Sequence, residues 1–214
     1  MNHPLHRLAL PTSLLAGAVL LVSVGCAQKH EHEMAACPMC STNPTKTALM
    51  AHVHAATTAV ATIQAAKGAA TQPSNQNVAG TVTFTEEKDG LKVVADLTAL
   101  SPGKHGIHIH DKADLTAPDL TSAGGHWDPD GHKQHGGPIT EGDKRHAGDL
   151  GNLEADASGK AHYELTITGA SIGGKNDIVG HSVIIHAKED DMKSNPAGNA
   201  GGRVAGGVIA VKGS

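Results

Sequence analysis

Beyond Thr57 the chain is organised by alternation of apolar and polar residues. In GTVTFTEE, Val82 and Phe84 fall on one face and Thr81, Thr83 and Thr85 on the other. Side chains that switch face at every residue predict a half-buried strand. A KDG turn leads into LKVVADLTAL, where Leu91, Val93, Ala95 and Leu97 share a face, so the two segments read as a hairpin. HYELTIT points Tyr163, Leu165 and Ile167 inward, and HSVIIHA and RVAGGVIAV supply two more short apolar strands. Residues 60–64 are a candidate first strand, followed by a Gly/Ala/Pro/Ser/Asn-rich connection to Asn77. Short strands, Gly-rich turns and the lack of an amphipathic helical pattern predict an all-β fold, an antiparallel sandwich or flattened barrel. Two connections, residues 111–149 and 187–202, are too long for plain hairpins, and loops of such length in a compact domain are usually functional.

The ends of the chain change this picture. Arg7 precedes an apolar run from Leu8 to Val24, and Cys26 follows Gly25 directly. The run is short and flanked like a secretory leader, so residues 1–25 are expected to be a signal peptide. A cysteine after a small residue suggests acylation of Cys26, which would anchor an exported, periplasmic or cell-envelope lipoprotein to its membrane. Residues 26–56 read as a tether and the domain occupies residues 57–214. Loss of the leader removes only Arg7 and moves the formal charge from −4 to −5, which argues against a nucleic-acid partner. One Trp, one Tyr and one Phe leave the core to Val, Ile, Leu and Ala, and 26 glycines imply many turns.

The chemistry gathers between His105 and Asp149. Alternate side chains of a strand share a face, so in HGIHIH the residues Ile107 and Ile109 can enter the core while His108 and His110 project together from the other side. Sixteen histidines make any single pair uninformative. The ordered set is informative, because the next loop presents His126, His135 and His146 and ends on Asp149. Three imidazoles with one carboxylate form a closed shell of the kind zinc prefers. His186, at the end of an apolar strand, can join His108 and His110 in an imidazole-rich site suited to copper.

In SPGKHGIHIH, LTSAGGHWDP, QHGGP, RHAGDLGN, SVIIHAKEDD and GNAGGRVAGGVIAV the chain resembles the copper/zinc superoxide dismutases, of the exported bacterial lipoprotein kind. The resemblance implies an eight-stranded Greek-key barrel with two long functional loops. It implies copper bound by His108, His110, His126 and His186, and zinc bound by His126, His135, His146 and Asp149. His126 would be the shared ligand, and would carry a proton during the alternating reduction and oxidation of copper. Asp190 would tie a copper histidine to a zinc histidine. Arg203 would draw the superoxide anion to the copper, aided little by Lys188 and Lys193 of the neighbouring loop. His105 is read as a structural brace, and His132 as a surface residue outside the pattern.

The chain departs from that family in one respect. Its usual disulfide would join the positions held here by Leu120 and Gly206, so the bond cannot form, and any inference about a homodimer weakens with it. The three cysteines are Cys26, Cys37 and Cys40. Cys37 and Cys40, with His30, His32, Met34 and Met39, form either a local disulfide in a spacer or a soft-ligand site for Cu(I) that feeds the enzyme. The rival to the enzymatic reading is a non-catalytic copper/zinc-binding or copper-resistance protein on the same fold. Arg203 and Asp190 weigh against it, since storage needs neither.

Overall fold

The alternating segments form strands because each has one face to bury. In the computed structural model, which describes residues 57–68, 75–132, 134–138 and 144–213, eight strands close into one barrel. They are β1 (Thr58–Ala65), β2 (Ala79–Glu87), β3 (Gly90–Thr98), β4 (Gly103–His110), β5 (Asp149–Ala155), β6 (Ala161–Ile167), β7 (Ser182–His186) and β8 (Arg203–Val211). The signal peptide, the acylation site at Cys26 and the Cys37/Cys40 cluster lie outside the described residues. Every described residue belongs to one compact unit within His52–Ser214.

Around the barrel the order is β1-β2-β3-β6-β5-β4-β7-β8, and β8 pairs with β1 to close it. All the paired strands are antiparallel, and the order is a Greek key: β3 and β6 each connect to a strand beyond their neighbours. The β2–β3 hairpin has the expected register, with Val82 opposite Ala95 and Phe84 opposite Val93. Val82, Phe84, Leu91, Val93, Ala95 and Leu97 are all buried in the main core. In β6, Ile167 is buried, while Tyr163 and Leu165 are partly buried against that core. The first strand is longer than its apolar pattern, running from Thr58 to Ala65 because both β2 and β8 pair along it. Strand β5 escaped the pattern analysis. DLGNLEA hardly alternates, since its burial is continuous through Asp149, Leu150 and Gly151 where the loops cover its outer face.

Strand β4 carries the two faces that the site needs. Ile107 and Ile109 enter the main core, and His108 and His110 are equally buried on the opposite side, beneath the loops. The register against β5 shifts between Gly106 and His108, which sets His108 opposite Asp149. Among the described residues there is no α-helix, and the β4–β5 connection contains a short 3-10 turn, Thr121–Ala123.

Leu120 stands at the start of that turn with a left-handed backbone (φ 60°). Its side chain packs with Ala66, Ala123 and Ile184 in a small second core. A Cβ added at Gly206 would meet the Leu120 Cδ1 at 3.3 Å, so the two positions face each other across an apolar contact. All three cysteines precede residue 57. A thiol reductant is therefore expected to leave the denaturant midpoint of the barrel unchanged. Leu120→Ala is expected to lower its stability by about 2–4 kcal/mol through lost burial and a residual cavity. Denaturant titration with and without reductant checks both, and a reductant-dependent midpoint would contradict the packing account.

Candidate metal centre

Two neighbouring groups of side chains have ligand atoms within 4.8 Å of one another: His108, His110, His126 and His186, and then His126, His135, His146 and Asp149. His126 belongs to both. Its position comes from backbone stitching, not from a long strand. His126 forms an isolated bridge with His110, Trp127 N–H donates to Ile109 O at 2.8 Å, and Ile109 N–H donates to Gly148 O at 2.9 Å. Trp127 then buries in the main core and anchors the loop beside the histidine. Gly148 is required here, because a Cβ would lie 2.3 Å from Ile109 O.

Each ring of the first group has one nitrogen committed to the protein. His108 Nε2–H donates to Asp190 Oδ2 at 2.7 Å, and His110 Nδ1–H to Gly124 O at 3.0 Å. His186 Nδ1–H donates to Gly201 O at 3.2 Å, and His126 Nδ1 lies 2.7 Å from Asp149 Oδ1. The nitrogens left over face one another: His108 Nδ1 and His126 Nε2 are buried without a hydrogen-bond partner, and the Nε2 atoms of His110 and His186 are 3.5 Å apart. A buried polar atom without a partner costs free energy unless a ligand satisfies it. Two unpartnered nitrogens and that facing pair, all within 4.8 Å of one another, fit a nitrogen-loving ion such as copper.

The second group centres on one oxygen. Asp149 Oδ1 lies 2.7, 3.1 and 3.4 Å from Nδ1 of His126, His135 and His146. Its other oxygen accepts from Gly136 N–H at 2.9 Å. Burial raises the Asp149 pKa, but the three histidines outweigh it and hold the carboxyl well below its usual range. Three nitrogens and a carboxylate, all buried, match the donor set of a closed zinc site.

Asp190 joins the groups from behind, with Oδ2 on His108 and Oδ1 accepting from His135 Nε2–H at 2.8 Å. Several residues that hold it carry no metal-site signal in the sequence. Asp190 N–H donates to Asn152 Oδ1, and Asn152 Nδ2 returns a bond to Asp190 O. Gly198 (φ 61°) leaves room for the carboxylate, since a Cβ there would fall 1.8 Å from Asp190 Oδ1. Asn195 Oδ1 accepts from His135 N–H at 2.6 Å, tying one long loop to the other.

Arg203 lies beside the first group. Its Nη1 donates to Leu120 O at 2.5 Å and its Nη2 to Gly124 O at 2.6 Å, the carbonyl that also fixes His110. Neutral acceptors orient the guanidinium without cancelling its charge. His105 is buried away from both groups and bridges His186 O at 2.7 Å and Ser101 O at 2.8 Å, a brace between β7 and the entrance of β4. His132 sits outside the two groups, 3.8 Å from Asp128.

Burial lowers the pKa of His126 to about 4 and that of His186 to about 3, with neighbouring histidines adding to the effect. His135 is also buried, but Asp149 and Asp190 override burial and raise it to about 9. These shifts give the metal-free protein a stability maximum. Below pH 6.5 the unfolded chain takes up protons that His126 and His186 refuse until about pH 4 and 3, so stability is lost as pH falls. Above pH 6.5 the His135 contribution, fully present at lower pH, is lost as pH rises through about 9. The expected slope is about 1.4 kcal/mol per pH unit for each proton exchanged. Denaturation of chelated protein from pH 4 to 9 checks it, and a stability that rises steadily across that range would contradict it.

Comparison with known proteins agrees with this geometry. The sequence profile of the copper/zinc superoxide dismutase family matches residues 78–209. The chain is 39% identical over 146 residues to an extracellular Cu-Zn superoxide dismutase of Brugia pahangi, covering 64% of this chain and 71% of that one. It is 44% identical over 149 residues to an extracellular Cu-Zn superoxide dismutase of Drosophila melanogaster, covering 66% and 80%. Among solved structures it is similar to the clock protein EA4, with a TM-score of 0.60, 37% identity, and coverage of 72% of this chain and 94% of that one. With its barrel, its paired histidine groups and a family match over more than half its length, the chain belongs to the copper/zinc superoxide dismutase family.

Proposed function

We propose that this chain is an exported enzyme that converts two superoxide anions and two protons into dioxygen and hydrogen peroxide. Copper is assigned to His108, His110, His126 and His186, and zinc to His126, His135, His146 and Asp149. The observation that carries the reading is the position of His126, which turns Nδ1 to Asp149 and leaves a buried, unpartnered Nε2 toward the other three rings. When bound, copper supplies one-electron chemistry by alternating between Cu(II) and Cu(I), and zinc supplies a fixed charge without redox chemistry.

The protein's own residues do the rest. His126 Nε2 is the atom that takes up and returns a proton. In the metal-free ring burial disfavours a second proton, which leaves Nε2 bare and available as a ligand. Asp190 and the carbonyls of Gly124 and Gly201 hold the other rings in fixed tautomers, as outer partners of metal ligands generally do. Arg203 binds and orients the anion beside His110 and His186. A local cation can focus a field on the site although the chain as a whole is negative.

Export is supported by the leader pattern and by the extracellular naming of both relatives. Acylation at Cys26 and retention in the cell envelope extend that reading. The tether pair Cys37/Cys40 is assigned to a local disulfide in a spacer. On that assignment the full chain and its Cys37→Ser/Cys40→Ser variant should bind equal amounts of Cu(I). An additional ion on the parent alone would identify a soft-metal site instead.

Arg203 separates an enzyme from a storage protein. The copper- and zinc-loaded chain is expected to consume superoxide rapidly. Arg203→Ile should keep both metals while its kcat/KM falls by about tenfold or more. Metal analysis alongside a superoxide assay checks this. Slow consumption by the parent, or equal rates in the two proteins, would favour the storage reading.

A further inference from the structure

Met192 has no part in the proposed chemistry, yet its place in the loop is unusual. It is the one sulfur-containing residue within 57–214, since Met1, Met34, Met39, Met50 and all three cysteines come earlier. It is 39% exposed, among the most exposed large apolar side chains described. The backbone beneath it is clamped. Met192 N–H donates to Asp190 Oδ1 at 2.6 Å, and Asp191 accepts from the N–H groups of Lys193 and Ser194 at 3.0 and 2.8 Å.

Its side chain crosses to the other long loop. A Cβ at Gly137 would meet the Met192 Sδ at 2.8 Å, and a Cβ at Gly151 would meet its Cε at 3.7 Å and Pro138 Cδ at 3.0 Å. The thioether therefore lies on the Gly136–Pro138 turn. That turn carries the N–H of Gly136 bonded to Asp149 Oδ2, and it follows His135 directly. The polarisable sulfur of a partly exposed side chain thus covers the turn that follows His135 and bonds Asp149.

We propose that Met192 is an oxidisable seal over the zinc-side turn, and that hydrogen peroxide, by converting it to the sulfoxide, speeds the loss of zinc. The sulfur lone pair takes one oxygen of the peroxide, the O–O bond breaks, and the second oxygen leaves as water with both protons. The product is polar and hydrated where the thioether was apolar, so it no longer packs on Gly137 and Pro138. The turn loosens, and with it the hydrogen bond that orients Asp149. Sulfoxide reduction restores the seal. The inference rests on the zinc assignment above, and peroxide is the product of the proposed reaction.

The test uses the full chain loaded with both metals, and adds peroxide from outside so that turnover is not needed. Peptide mass spectrometry reads oxygen addition at Met192, and a chromogenic chelator reads the rate of zinc loss. Oxidation of Met192 should accompany an increase in zinc loss on the order of tenfold, the scale on which outer supports act on metal sites. Methionine sulfoxide reductase should reverse it. Met192→Leu, which conserves volume, should hold zinc as the parent does and lose it no faster in peroxide. Equal acceleration in Met192→Leu would overturn the proposal, as would an unoxidised Met192 or an oxidised one with unchanged zinc loss. A chain that took up no zinc at the outset would overturn the ligand assignment as well, and is distinguished by metal content before peroxide is added.

Discussion

The centre depends on a single constraint: buried imidazoles need hydrogen-bond partners, and in the group of His108, His110, His126 and His186 each ring has a carboxylate or carbonyl partner on only one of its two nitrogens. Polar groups taken out of water are costly when unsatisfied. Asp190, Asp149 and the carbonyls of Gly124 and Gly201 remove that cost on one side of the rings and fix the tautomers. The cost remaining on the other side is what a metal ion relieves. The nitrogens on that side are where an ion would gain its binding energy.

The barrel makes this arrangement rigid. His108 and His110 come from β4, whose opposite face supplies Ile107 and Ile109 to the core, so the rings cannot turn away without unpacking the interior. The loops are then fastened to that platform. Trp127 plugs the core beside His126, His105 joins β7 to the start of β4, and Asn195 links the two long loops through the backbone of His135. The Gly124 carbonyl serves both His110 and Arg203, so the guanidinium and one ring of the four-histidine group share one support. Leu120 keeps that segment seated by packing against Ile184 across from Gly206.

Opposite pKa shifts within a few ångströms follow from the same geometry. His126, His186 and His135 are all buried, but two carboxylates on His135 reverse what burial does to the others. Neutral rings are ready ligands. Protonated His135 carries a second proton on Nδ1, facing Asp149, which must leave before zinc can bind there, while its Nε2–H stays on Asp190, so zinc uptake is a proton-releasing step.

Much of this was legible in the sequence. Strict alternation in GTVTFTEE and LKVVADLTAL determined the central hairpin and its inward residues, because a period of two is a local property of an extended chain. The strand DLGNLEA lacked that signal, since a strand covered on both faces has no reason to alternate. The histidines and Asp149 that converge in the two groups were also readable, as a family pattern. The sequence could not show which nitrogen of each ring faces a metal, nor that Asp190 grips His108 and His135 from 82 and 55 residues away. Nor could it show that Gly198 is glycine because a carboxylate fills the space of its Cβ. Local pattern encodes which face of an element is buried. Contacts between loops far apart in the chain exist only once the closed barrel has brought those loops to the same end, and there the tertiary structure alone decides the chemistry.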